Sequence, residues 1–466
     1  MSKEKLDRIL TESPLLPALV AIFIVVATFA NNAHALEWGQ IWVSLVIAII
    51  PGLVVWLILW LIKDLRFISA TGSAVVTAIV LLYSPIPKVY YHGLMPVLIM
   101  IASIGLLALL HKHVKKGLPF VTIALVVCIM SSLVLAQYNM VKNTESKAYA
   151  SVVVESNADL PNIYLVIPDR FTSHEALLEC GYDNSGFIAQ LRSRGFYYVR
   201  DNSLSTDPSE LGMKHIKTTR TLRFLASVFS DGEEIPLDID YNIASQKVKH
   251  SSTIQKYLAL GYELHNIGSW YPETKTSPLA TRNYVYDSTS LSDIIYSNMF
   301  TTAMIERSVW RYLYIAPFIS EISHRTTERN RQIYQFEAIK SLAGGGNKFV
   351  FMHLLSPHPP FAWTADGELQ TNTELGTIEL FVEQTKYIEV LLIDMIDYIQ
   401  QHDSNAIIIL QADEGMCFSG DSVTNELSNI QFNGILTAWK LPVDNNLLAN
   451  IDTREILKYT REVITQ

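Results

Sequence analysis

Four short segments carry the residue types that chemistry needs. Asp169 follows the apolar run NIYLVIP, and Asp413 and Glu414 follow AIIILQ. His358 lies in SPHPPF directly after KFVFMHLL, and Ser269 and Trp270 follow Tyr262–Ile267. Each apolar run reads as a strand, so three carboxylates and a histidine come out at strand ends. In a mostly parallel sheet the ligand crevice lies outside the carboxyl ends of the strands. A rim of carboxylate oxygens suits a divalent cation. Singly, each residue has a plainer reading. Asp after a strand often caps a helix, and Asp413-Glu414-Gly415 has turn composition. His353, inside its apolar strand, reads as a satisfied core histidine that could also line the substrate side with Ser269 and Trp270. Their joint placement makes them a candidate site.

The elements that position them follow from pattern. The strands expected are Asn162–Pro168, Phe196–Val199, Tyr262–Ile267, Lys348–Leu355, Ala406–Gln411 and Ile435–Leu441. Several are almost continuously apolar, as expected for strands buried on both faces. Helical patterns fall between them at Ser185–Arg194, Ser290–Ile319, Glu328–Leu342, Leu375–Gln400 and Arg454–Val463. This alternation predicts an α/β fold with a mostly parallel sheet between helices. Gly344-Gly345-Gly346 reads as a turn before a strand.

The first 140 residues belong to another solvent. Five charge-free apolar runs, Leu15–Ala30, Ile41–Ile62, Phe67–Tyr83, Leu94–Leu110 and Leu118–Ala136, have lengths near the roughly 20 residues a helix needs to cross hydrocarbon. Residues 1–141 hold nine Lys/Arg against five Asp/Glu, whereas the 466-residue chain has a net charge of −9. Lys3, Lys5, Arg8, Lys63, Arg66, Lys112, Lys115 and Lys116 fall on one side of the runs and only Lys88 on the other. That distribution predicts a cytoplasmic N-terminus and, after five crossings, an extracytoplasmic remainder. Ala33-His34-Ala35 resembles a signal-peptidase site, but the favoured reading is an uncleaved anchor. No Asp, Glu, Lys or Arg lies inside a run. The membrane part therefore reads as an anchor in contact with lipid, not a transporter. The expected division is a multi-span membrane domain over 1–140, a linker over 141–160 and a large outer domain over 161–466. The acidic balance argues against a nucleic-acid partner.

The segments PNIYLVIPDRF, GYDNSGFIAQLRSRGF, GYELHNIGSWYPET, FVFMHLLSPHPPFAWTADG and IIILQADEG resemble the sulfatase-like branch of the alkaline phosphatase superfamily, from about Pro161 to Leu441. More narrowly they resemble its membrane-anchored members in a bacterial-type plasma membrane, with lipoteichoic acid synthase and phosphoethanolamine transferases as broader relatives. The resemblance implies metal-assisted attack on a phosphate or sulfate ester of an envelope glycan or lipid, by hydrolysis or transfer. It makes Asp169 and Asp413 metal ligands and sets His358 near the substrate. Two family positions are changed. The usual Asp-His-Gly reads Asp413-Glu414-Gly415, so Glu414 would replace a histidine ligand. The nucleophile segment reads Ser205-Thr206-Asp207-Pro208-Ser209-Glu210, so Glu210 stands where a Thr is expected and Ser209 beside it is the nucleophile candidate. Arg170 also follows Asp169 where relatives often carry Gly. An Asp, Asp, Glu set is all oxygen and would favour one Mg²⁺, Mn²⁺ or Ca²⁺ over Zn²⁺. Cys180 and Cys417 are not at the nucleophile position. The alternative is a catalytically degenerate relative that binds a glycan or protein partner. Lys214, His215, Lys217, Arg220 and Arg223 form a basic stretch, read either as a solvated helix face or as an anion-binding face.

Overall fold

The computed structural model describes residues 3–33, 36–82, 94–144, 160–199, 220–287, 290–313, 320–416, 434–441 and 452–465. It divides into two compact units, Met1–Glu145 with Ser288–His324, and Ser146–Asp287 with Arg325–Gln466. The second stretch of the first unit is an addition to the boundaries expected from sequence.

Among the described residues of the first unit, four helical stretches are long and apolar enough to cross a membrane: Leu15–Asn32, Trp38–Leu61, Lys63–Leu82 and Lys112–Met140. A shorter apolar stretch, Val97–Leu110, precedes the last, and both lie in continuous helix over Leu94–Thr144. The basic segment at 112–116, expected as a loop, is therefore helical. Its residues form helix readily, and no Gly or Pro interrupts them before Gly117. Small residues let these helices pack closely, as membrane interfaces require. A Cβ at Gly52 would collide with the Thr77 side chain and touch Pro17. Hydroxyls on Ser69–Leu82 are satisfied locally: Thr77 Oγ1 donates to Ser73 O at 2.8 Å, and Ser69 Oγ to Arg66 O at 2.8 Å. The expected long helix over 290–319 is instead broken into Leu291–Tyr296, Met299–Glu306 and a 3₁₀ turn at Val309–Leu313. The cause is local, because the Asn298 side chain caps the second helix by accepting from Thr301 N. This insert packs within the first unit. Ser44 and Thr301 hydroxyls lie 2.9 Å apart, and Phe300 meets Phe29 edge-on at 5.4 Å.

The second unit is built on a seven-stranded sheet. Its strands are β1 (Ile163–Pro168), β2 (Tyr197–Tyr198), β3 (Glu263–Ile267), β4 (Arg282–Tyr284), β5 (Lys348–Leu354), β6 (Ile407–Gln411) and β7 (Thr437–Lys440), in the order β2-β7-β6-β1-β5-β3-β4. Among the described strands, only the β7 pairings, with β6 and with β2, are antiparallel. β1 is central, parallel to β5 and β6, and all six of its residues are buried. β4 is the one strand that pattern did not predict; at three residues it is too short to show a period. The helix Thr377–His402 buries Leu380, Phe381, Gln384, Ile388, Leu392 and Ile396, a stripe at three- and four-residue spacing. Gly344 and Gly345 have φ of +78° and +69°, the left-handed conformation of a tight turn into β5.

Candidate active site

The sheet order brings the three central carboxyl ends side by side, and the candidate residues stand on them. Asp169 continues β1 beyond its last residue, its N–H donating to Leu354 O at 2.8 Å. His353 lies near the end of β5, in register with Ile167 of β1. Asp413 follows β6 by two residues, and the intervening Ala412 N donates to Leu436 O at 2.9 Å.

One ligand atom from each of Asp169, His353 and Asp413 lies within 4.8 Å of the others. The three residues are 4%, 0% and 0% exposed. Asp169 Oδ1, His353 Nε2 and Asp413 Oδ2 have no hydrogen-bond partner of ordinary geometry in the protein. Buried polar atoms are seldom left so, and three converging ones fit a cation. The remaining atoms are tied down. Asp413 Oδ1 accepts from Glu414 N at 2.9 Å and from Arg170 N at 3.3 Å. His353 Nδ1 lies 2.9 Å from Thr274 Oγ1, which lies 2.9 Å from Ser269 Oγ. A proton on Nδ1, donated to Thr274, leaves the Nε2 lone pair free for a metal.

Electrostatics agree with this arrangement. Burial first, then the Glu414 charge, pushes the Asp169 carboxyl up to about 8, although Arg170 opposes the rise. Burial and the Asp169 charge raise Asp413 well above the carboxylate range. Burial pulls His353 down to about 3, so its imidazole is neutral at physiological pH. The Arg170 charge offsets the burial of these carboxylates only in part, and a divalent ion would supply the rest.

The other sequence candidates fall around this cluster. Ser269 is buried, its Oγ accepting from Tyr271 N at 2.9 Å. Trp270 meets His358 edge-on at 5.8 Å. A Cβ at Gly268 would strike Lys275 O, so this loop needs glycine at its start. His358 N donates to Asp169 O at 3.3 Å, folding the SPHPPF loop over the site, and Gln384 Nε2 holds His358 O at 3.3 Å. Burial, with the Arg170 charge, lowers His358 to about 4. Glu414 is turned to Arg170, which donates through Nε to Glu414 Oε1 at 2.9 Å. The group assembled is therefore Asp169, His353 and Asp413, with nitrogen where an all-oxygen set was expected. Ser209, Glu210 and Cys417 lie outside the described residues, as do Lys214, His215 and Lys217. Arg223 is buried, so a wholly solvated face does not describe the basic stretch.

One residue escaped the sequence reading. Thr221, in the first turn of the helix Arg220–Val228, is buried with its hydroxyl against the Asp413 carboxyl, where it tempers the rise in that group's pKa. The only signal for it was a hydroxyl residue near a helix start, which sequence offers many times over.

No protein-family model and no curated protein sequence matches the chain. Among solved structures it is similar to the integral membrane lipooligosaccharide phosphoethanolamine transferase A (EptA) of Neisseria meningitidis, at 11% identity and a TM-score of 0.40, over 92% of this chain and 73% of that one. It is similar to the C-terminal periplasmic domain of EcEptC from Escherichia coli, solved with Zn, at 12% identity and a TM-score of 0.41, over 66% of this chain and 84% of that one. It is also similar to the lipoteichoic acid synthase LtaP of Listeria monocytogenes, at 10% identity and a TM-score of 0.35, over 66% and 72% of the two chains.

Proposed function

We propose that the second unit is a metal-dependent hydrolase or transferase of phosphate or sulfate esters, acting on lipid headgroups or glycans at a membrane. The carrying observation is the set of three unpartnered, buried ligand atoms within 4.8 Å at the ends of β1, β5 and β6. Asp169, His353 and Asp413 would hold one divalent cation. Three protein ligands leave further positions open, as catalytic sites do. The nitrogen donor removes the reason to prefer Mg²⁺, Mn²⁺ or Ca²⁺ and admits Zn²⁺ equally. When bound, the cation would neutralise charge on the ester oxygens.

The chain's own groups supply the rest. The Thr221 hydroxyl is the nucleophile supported by position, with Asp413 in reach of its proton. His358 donates through Nδ1 to Pro359 O, which leaves Nε2 as an acceptor for a proton from an incoming alcohol or water. Trp270 beside it offers a face for a sugar or headgroup. Purified full-length protein should carry about one divalent ion per chain and turn over p-nitrophenyl phosphate or sulfate. Thr221→Ala should abolish turnover and keep the ion. Absence of both ion and turnover in the wild-type protein would favour the binding-only alternative.

Packing within the first unit supports an extracytoplasmic position for this chemistry. Leu118 clusters with Leu10, Leu16 and Ala70 at the end bearing Arg8, Lys63 and Arg66. Ala136 clusters with Phe29, Ala30 and Phe300 at the other end, where Asn139 Nδ2 donates to Ala30 O at 2.9 Å. Asn139 thus lies at the end away from these basic residues, which are retained on the cytoplasmic side. A reporter active only outside the cytoplasm, fused after Thr465, should be active; an inactive, stably expressed fusion reverses the orientation.

A further inference from the structure

We propose that Arg170 is the anion-binding residue of this site, its guanidinium edge receiving two oxygens of the phosphate or sulfate group beside the cation position. The inference rests on the ester reading above and adds the residue that selects the anion.

Arg170 is set in a place that a side chain normally avoids. Its φ is +63°, the left-handed region in which glycine is at ease and a long side chain is uncommon. The backbone is held there by Arg170 N donating to Asp413 Oδ1. Strain kept at a ligand site is commonly tied to function. The side chain is aimed as well. Nε donates to Glu414 Oε1 at 2.9 Å, and the Glu414 side chain is only 8% exposed. Glu414 is fixed in turn through its own N–H to Asp413 Oδ1.

An ion pair made through Nε leaves the two terminal nitrogens. Of these, Nη1 reaches the Met416 thioether at 4.0 Å, a weak acceptor. The side chain as a whole is 30% exposed. Its charge is felt by Asp169, Asp413 and His358, which places it among the ligands and beside the SPHPPF loop. A planar edge with parallel N–H donors matches two oxygens of a tetrahedral oxyanion, a fit that a lysine ammonium cannot reproduce. Three carboxylates would otherwise repel a phosphate before it arrived. Glu414 then has a purpose apart from metal binding: it holds the guanidinium at the correct angle.

The test uses full-length protein in detergent, titrated calorimetrically with inorganic phosphate and with inorganic sulfate, once with chelator and once with saturating Mn²⁺. Wild-type protein should bind at least one anion in both conditions. Arg170→Gln should weaken that binding roughly 10- to 100-fold, the effect of losing a charged hydrogen-bonding group. Arg170→Lys, which keeps the charge and the pairing with Glu414, should fall between. Mn²⁺ stoichiometry should be unchanged in both. Wild-type affinity in Arg170→Gln, or in Arg170→Lys should the Gln variant not fold, overturns the proposal and leaves the metal reading intact. No anion binding by wild-type protein overturns it outright. Anion binding that depends on Arg170 in a protein that takes up no Mn²⁺ upholds it while the metal reading fails.

Discussion

Asp413→Asn offers the sharpest probe, because stability should move in opposite directions with and without the cation. In the metal-free protein two buried carboxyls face each other with ligand oxygens no more than 4.8 Å apart. At an effective dielectric near 20, two full charges at that distance repel by about 3.5 kcal/mol. Less is felt near neutrality, because Asp169 is raised to about 8 and Asp413 lies well above its usual range, so the pair retains a proton. A folded-state carboxyl raised above its unfolded value contributes stability at low pH, which is lost as pH rises through the folded value. The repulsion therefore grows as pH rises past about 8, the Asp169 value, and is felt at pH 9. There, in chelator, the Asn variant should be the more stable protein by roughly 2 kcal/mol, or about 4 °C in melting temperature. Cation at a hundred times its dissociation constant should raise the wild type by about 2.7 kcal/mol and the variant by little. Differential scanning fluorimetry at pH 9, with EDTA and then with Mn²⁺ or Zn²⁺, reads both signs in one plate. A variant less stable than wild type in EDTA, or one that gains as much as wild type from the metal, would refute the cluster as a cation site.

Two further expectations concern the scaffold. Burial raises Glu389 to about 7, although the Tyr182 hydroxyl at 2.5 Å and Asn184 Nδ2 at 2.9 Å stabilise its charged form. Its contribution is then full below the ordinary glutamate value and fades between about pH 4.5 and 7, a loss of about 3 kcal/mol. Glu389→Gln should flatten that part of the stability–pH curve in urea titrations; an unchanged slope would mean that Glu389 titrates normally. Gly268→Ala drives a Cβ into Lys275 O. It should destabilise by about 1–3 kcal/mol and displace Ser269 and Trp270, raising KM for the aryl ester, whereas wild-type stability and KM would show that the loop yields freely.

Residue order alone settled the elements. Runs such as NIYLVIP and AIIILQ are too apolar for any place but the middle of a sheet, and β1 and β6 lie there. The same patterns located Asp169 and Asp413, because a carboxylate directly after a buried strand must emerge at the sheet's end. Apolar runs free of charge likewise mark the apolar helices of the first unit. What remained hidden depends on contacts between distant parts of the chain. His353 looks like a core histidine until the β6-β1-β5 order sets its Nε2 beside two aspartates. Thr221 becomes notable only when Asp413, 192 positions later, comes to rest against it. Glu414 seems a substitute ligand until Arg170, 244 residues away, claims its carboxylate. Local sequence dictates hydrogen bonding and solvent preference over a few residues; which side chains share a charge or a proton is decided by strand order, and strand order exists only in the folded chain.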